Sequence, residues 1–331
     1  MDEGNSTVKK WLFLLARIAV VIAIYYVILR QVPLESLRAL LAPSLVAAFI
    51  AAVALNVLQA VLCTIRWRLV AVNIDPVPGF AKSFAAYMEG LFFNQALPSF
   101  IGGDAVRVLR WRAFDVGTGD AVVSVLRDRL FGAVGAASFT VLACALLWVL
   151  PVERYMVISL FLLGAAVTGG CLLLVVLSQW PWLAQLFRRV ARIHALAMIF
   201  VDRPLSWRRI WLALATSFIA QLLPGLAVYL LALALQIEIG FILAATVTGA
   251  ILLVSMIPVS LAGWGVREAG FLAILVPLGA ASENVLMLGI SFGLAGLCGA
   301  LLGGLSLAMG FSLPAVSIPV SPADPGKSGD D

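Results

Sequence analysis

Six stretches of the 331-residue chain run for about twenty residues or more with few charges: 11–30, 43–65, 129–150, 155–179, 208–235 and 284–311. That is the length a helix needs to cross a hydrocarbon core of ~30 Å. Inside such a core every backbone N–H and C=O must be satisfied within the protein, so an open extended chain is ruled out there. The fold class predicted is all-α, a polytopic transmembrane helix bundle. Composition agrees: 63% of residues are hydrophobic and 12% charged, where water-soluble domains carry ~25% charge.

Residues 1–313 read as one integral membrane domain, and 314–331, rich in Pro, Ser, Gly and Asp, as a disordered tail. The run at 11–30 follows Lys9 and Lys10. It contains Arg17 and ends without a small-residue cleavage site, so it reads as a helix rather than a signal peptide. Cys63, Cys144, Cys171 and Cys298 lie in apolar runs without CxxC spacing, and His194 is the single histidine. No metal site or other cofactor is expected.

Basic residues in short loops mark the cytoplasmic side. Segment 180–210 holds Arg188, Arg189, Arg192, Arg203, Arg208 and Arg209 against Asp202. Within it, residues at about 181–200 place their apolar side chains on one face, as an interfacial helix does against anionic lipid headgroups. Walking back from that anchor starts 129–150 inside. Lys9 and Lys10 place the N-terminus inside, and a forward walk from them brings RWR at 66–68 inside too, in a multi-pass protein of the cytoplasmic (inner) membrane. The two walks agree only if residues 80–103 enter and leave on the same face.

The segment 83–97 fits that constraint. Fifteen helical residues reach about 22 Å, too short to cross, before Pro98 stops the helix. Glu89, Asn94 and Gln95 lie within it, and polarity at that depth survives only inside protein or beside a wet cavity. The chain also resembles itself: LPSFIGGDAVR (97–107) aligns without gaps to IPVSLAGWGVR (257–267). Pro98, Gly103, Val106 and Arg107 match Pro258, Gly263, Val266 and Arg267. Three spans separate the motifs at 83–107 and 243–267, so the second copy is inverted, each copy holding a Pro/Gly-broken re-entrant segment. Interrupted segments at matching places in inverted halves point to a transport site near the midplane. Two Pro-kinked helices packing through glycine remain the alternative, and 243–280 reads as either re-entrant or spanning.

Arginine presents a permanently charged fork that matches phosphate. Arg107 and Arg267 are the lead candidates for an anionic headgroup, on opposite faces of the membrane. Gly102 and Gly103 let backbone N–H groups approach an anion. Asp104 and Glu268 either hold the neighbouring arginines or compete with substrate, and Asp128 either neutralises a helix start or pairs with Arg107. Glu89 is an intramembrane acid, suited to a proton-coupled step or to a buried Glu–Arg pair. Arg110, Arg112 and Arg154 read as arginines snorkelling at the membrane border. Asn56, Gln59 and Gln221, with Pro224, are explained by interhelical hydrogen bonds.

RWR (66–68), GLFFNQALPSFIGGDAVR (90–107), the DR at 128–129 and IPVSLAGWGVRE (257–268) resemble the transmembrane domain of lysylphosphatidylglycerol synthases, a flippase-like family. The resemblance covers nearly the whole chain except the tail. It implies movement of lipids, notably aminoacylated phosphatidylglycerol, between leaflets, and adds Arg66 and Arg129 to the candidate headgroup contacts. The bifunctional synthases also carry a soluble aminoacyl-transferase domain. Nothing after Phe311 is expected to form one, so synthase activity is not carried over, and hopanoid or polyprenyl lipids are alternative substrates. The function expected is a flippase for an anionic or modified phospholipid, without an ATP motif. Membrane lipids are the expected partners. No nucleic acid is expected, and a homo-oligomer or a lipid-modifying enzyme partner is left open. The rivals are a membrane transferase using Asp104 and Asp128, whose acids are too scattered for the usual clustered motif, and a non-catalytic membrane subunit.

Overall fold

The structure, a computed structural model, describes residues 42–71, 74–96, 100–150, 153–177, 205–255 and 264–308. The readings for 11–30, for the interfacial helix at 181–200 with His194, for Pro98, Pro258 and Gly263, and for the tail 314–331 lie outside those residues.

The described residues form helices α1 (Pro43–Val70), α2 (Phe80–Ala96), α3 (Phe100–Arg112), α4 (Thr118–Leu147), α5 (Arg154–Leu177), α6 (Trp207–Ala234), α7 (Phe241–Ser255), α8 (Val266–Leu275) and α9 (Ser282–Ala308). Five of them, α1, α4, α5, α6 and α9, are long and apolar enough to cross a membrane. The chain is a multi-pass, all-helical membrane protein among its described residues.

Local chemistry sets several ends. Pro43 opens α1 at a position where its missing N–H costs nothing. Asp120 sits in the first turn of α4, where a carboxylate complements the helix dipole. Pro224 lies inside α6 and removes the N–H that the Ala220 carbonyl would otherwise receive. The span expected from 129 begins eleven residues earlier, at Thr118. Asp120, Arg127, Asp128 and Arg129 break the apolar run but not the helix, because Asp128 pairs with Arg66 and Arg107, Arg129 pairs with Asp104 and Arg127 donates to the Val70 carbonyl.

Short helices flank both proline-containing segments. Helix α2 has 17 residues and α3 has 13; α7 has 15 and α8 has 10. At 1.5 Å per residue these reach about 26, 20, 22 and 15 Å, each short of the hydrocarbon thickness. Within 243–280 the described residues form two short helices, α7 and α8, and residues 256–263 lie outside the described residues. Helix α2 packs on α3, and α7 on α8.

Helix α1 lies against α6, with α2, α4 and α9 around it, while α4 carries α5, α6 and α7. The main core joins α4, α6, α7, α8 and α9 through Leu147, Leu231, Ile251, Phe271, Leu275 and Leu288. Helix α9 touches both interrupted pairs through glycines. A Cβ at Gly303 would run into the Met88 backbone of α2, and one at Gly293 into the Arg267 guanidinium of α8; one at Gly289 would sit 3.1 Å from Glu268 Cγ.

Candidate functional site

Helix α1 delivers Arg66 to the bundle interior one turn from its end, next to Trp67, which is fully buried. A Cβ at Gly132 of α4 would lie 3.1 Å from an Arg66 terminal nitrogen, so the glycine leaves that guanidinium its space. Arg66 Nε donates to Asp128 Oδ1 at 2.8 Å, and its Nη1 donates to Ser217 Oγ of α6 at 3.3 Å. Arg107 Nη2 of α3 donates to the other Asp128 oxygen at 2.7 Å. One buried carboxylate therefore holds two guanidinium groups. The pairing of Asp128 with Arg107 read from sequence is present, with Arg66 added.

The chain of charge continues. Asp104 lies 3.6 Å from Arg107 Nη1, but its stronger partner is Arg129, whose Nε donates to both carboxylate oxygens at 2.8 and 3.0 Å. Asp104 thus chiefly holds Arg129 rather than Arg107. Alternating signs along Arg66, Asp128, Arg107, Asp104 and Arg129 leave one surplus positive charge in the group.

Arg107 and Arg267 are mounted alike. The Arg107 guanidinium lies over Trp67 at 4.1 Å and Tyr87 at 4.6 Å; that of Arg267 lies over Trp264 at 4.6 Å and Phe292 at 5.7 Å. Each adds cation–π attraction to one carboxylate. For Arg267 that carboxylate is Glu268, whose Oε1 accepts from Arg267 Nη2 at 2.8 Å while Oε2 accepts the Gly265 N–H at 2.6 Å. Glu268 thereby tethers the start of α8 and its own neighbour together.

Arg107 and Arg267, expected on opposite faces, line a single cavity of about 250 Å³ with Arg66, Asp128, Arg129, Asn94, Gln59 and Gln221. Both are nearly buried, at 5% and 9% exposure. A second lobe of about 290 Å³ shares Gln59, Cys63, Tyr87 and Arg267 with the first and extends past Asn56 and Pro224 to Phe292. Including Asp104 and Glu268 just behind the wall, four arginines face three carboxylates.

Other candidates are placed elsewhere. Gly102 lies in the first turn of α3, off the cavity wall, and the Gly103 N–H donates to Asn94 Oδ1 at 3.0 Å. Gly103 is needed for the crossing of α2 and α3, since a Cβ there would collide with the Gly90 carbonyl and the Asn94 side chain. Its N–H is therefore engaged by Asn94 rather than offered to an anion. Glu89, 1% exposed, accepts from Arg110 through both oxygens. Arg110 is buried at 3%, so it is an interior ion-pair partner and not a snorkelling border residue. Asn56 donates to the Ala52 carbonyl within its own helix at 2.9 Å, not between helices.

Tyr87, Ser217, Trp67 and Trp264 went unread from sequence. The tryptophans carried one usable signal: each stands within three residues of a candidate arginine, in RWR and GWGVR. Arg127 is also buried and donates to the Val70 carbonyl at 3.3 Å. Among the described residues no group of three or more His, Cys, Asp or Glu is placed to hold a metal ion.

The family model described as the lysylphosphatidylglycerol synthase TM region matches residues 14–304. No curated protein and no solved structure matches the chain.

Proposed function

The chain belongs to the lysylphosphatidylglycerol synthase transmembrane family, and from that membership we propose that it is a flippase moving an anionic or modified phospholipid between the leaflets of the cytoplasmic membrane. The observation that carries this reading is the cavity itself, inside a membrane-spanning bundle, walled by Arg66, Arg107, Arg129 and Arg267. Charged groups at that depth are costly and are kept where a pathway needs them. In this reading the interrupted pairs α2–α3 and α7–α8 are inverted, re-entrant copies, and the N-terminus is cytoplasmic. The headgroup enters the cavity while acyl chains stay in the bilayer.

The protein makes no covalent change to the lipid in this account. Asp104 and Asp128, which a transferase would use as metal ligands or base, are each gripped by arginines, and that favours transport over transfer. Its partners are membrane lipids, joined by a second copy or a lipid-modifying enzyme where the cell supplies one.

Reconstitution into vesicles with labelled phosphatidylglycerol, lysylphosphatidylglycerol and phosphatidylethanolamine tests the reading. Wild-type protein should exchange at least one of the first two between leaflets faster than empty vesicles do. Arg267→Ala should slow that exchange by about tenfold or more, the worth of a hydrogen bond to a charged group, and lower the unfolding temperature because buried Glu268 loses its ion-pair partner. Arg267→Ala with Glu268→Gln should slow exchange as far with much of the stability restored. Wild-type rates equal to those of empty vesicles for all three lipids would sink the proposal.

A further inference from the structure

Gln221 was expected to be tied up by an interhelical hydrogen bond. It is 7% exposed, and its Nε2 has no hydrogen-bond partner among the described residues, although it lies on the cavity wall. A buried amide N–H left unmade carries a desolvation penalty, and such groups persist where a ligand or water completes them. The Nε of Arg107, on the same wall, is likewise buried and unpartnered.

The position of Gln221 is as informative as its state. Ser217, one turn earlier on α6, receives Arg66, which shares Asp128 with Arg107. Gln221 therefore stands about 6 Å further along α6 from that charged layer. One turn beyond, Pro224 lines the second lobe with Arg267 and Phe292, while Arg107 and Ser217 do not. Helix α1 repeats the order: Arg66 lines only the first lobe, Gln59 lines both and Asn56 only the second. Gln221 thus lies between the Arg107 layer and the Arg267 layer.

Resting on the flippase reading, we infer that Gln221 is the intermediate contact for a phosphate-bearing headgroup passing between the Arg107 and Arg267 layers. A neutral donor suits that place. It supplies a hydrogen bond to a phosphate oxygen without the full charge that would hold an anion fast, and passage needs binding strong enough to enter and weak enough to leave. A third arginine there would trap the ligand; a leucine would leave it without a partner.

Two variants and two assays test this. Gln221→Leu removes the donor. Gln221→Glu keeps the shape but presents a carboxylate to the phosphate. Binding of glycerophosphoglycerol to the detergent-solubilised protein is measured by calorimetry, with inorganic phosphate as a parallel arm, alongside leaflet exchange of labelled phosphatidylglycerol. Both variants should weaken glycerophosphoglycerol binding and slow exchange by about tenfold, Glu at least as severely as Leu, with unchanged helical content and unfolding temperature. Equal weakening toward inorganic phosphate identifies the phosphate as the group contacted; an effect confined to glycerophosphoglycerol places the contact on the rest of the headgroup and overturns the assignment. Variants that bind and exchange like wild type overturn it too, as does a variant tightened by Glu, which would mean that the ligand offers a donor. If wild-type protein moves no lipid while binding still depends on Gln221, the contact stands and the flippase reading falls. Wild-type protein that neither binds nor exchanges overturns both.

Discussion

Asp128→Ala is expected to lower stability by about 3–5 kcal/mol, the cost of leaving a buried charge uncompensated. The carboxylate is 1% exposed and receives Arg66 and Arg107, at 6% and 5%. Its removal would leave two interior guanidinium groups sharing the nearby Asp104, which already serves Arg129. Denaturant unfolding in mixed micelles measures the loss. Asp128→Asn should recover only part of it, since an amide retains an acceptor but no charge. The diagnostic variant removes all three members, Arg66→Met with Arg107→Met and Asp128→Leu. If uncompensated charge is the cause, that triple change should be far more stable than Asp128→Ala, because a well-packed apolar replacement of a whole buried ion group is often neutral. A triple variant as unstable as Asp128→Ala would show that packing, not charge balance, sets the cost.

Gly103→Ala is expected to cost about 3 kcal/mol, at the upper end of what overpacking does. The new methyl group would meet the Gly90 carbonyl, which is backbone and cannot step aside without parting α2 from α3. Gly293→Ala provides the contrast. There the methyl group meets the end of the Arg267 side chain, which can rotate away, with Trp264 next nearest. Stability should change by under about 1.5 kcal/mol, while lipid exchange falls as far as it does for Arg267→Ala, because the guanidinium has lost its seat. Unfolding curves and vesicle exchange rates on both variants separate the two effects. Gly293→Ala with normal exchange would mean that the Arg267 position is not what the cavity depends on.

The shortness of α2, α3, α7 and α8 was legible in part, because each proline motif closes an apolar run. Pro98 and Pro258 end apolar runs at matching spacing, which pointed to the second motif from the first. Long-range ion pairing was legible only in part: the sequence offered Asp128 with Arg107 and a buried Glu–Arg pair at Glu89, but not Arg110 or Arg66 as partners. Glu89 and Arg110 are 21 residues apart, and Arg66 and Asp128 are 62 apart. An arginine near a membrane border has a sufficient explanation in the positive-inside bias, so nothing local announces that it turns inward. The same blindness shortened α4: an apolar window stops at Arg127, Asp128 and Arg129, although the backbone runs on through them once their side chains are paired. For Gln221 the reasoning inverted. An amide in a span usually bonds to another helix, and only the assembled bundle reveals that this one lacks its partner among the described residues.

The glycines of α9 are seats: Gly303 admits the Met88 backbone of α2 and Gly304 the Phe92 ring, while Gly293 and Gly289 admit the Arg267 and Glu268 side chains of α8. A side chain lodged in such a notch resists sliding as well as separation, so α9 is expected to move together with the helices it seats rather than past them. Because one rod serves both pairs, a displacement of α9 at Gly303 is carried to the seat of Arg267 at Gly293, ten residues away along the same helix. On the flippase reading, the two helix pairs would then be geared to each other mechanically.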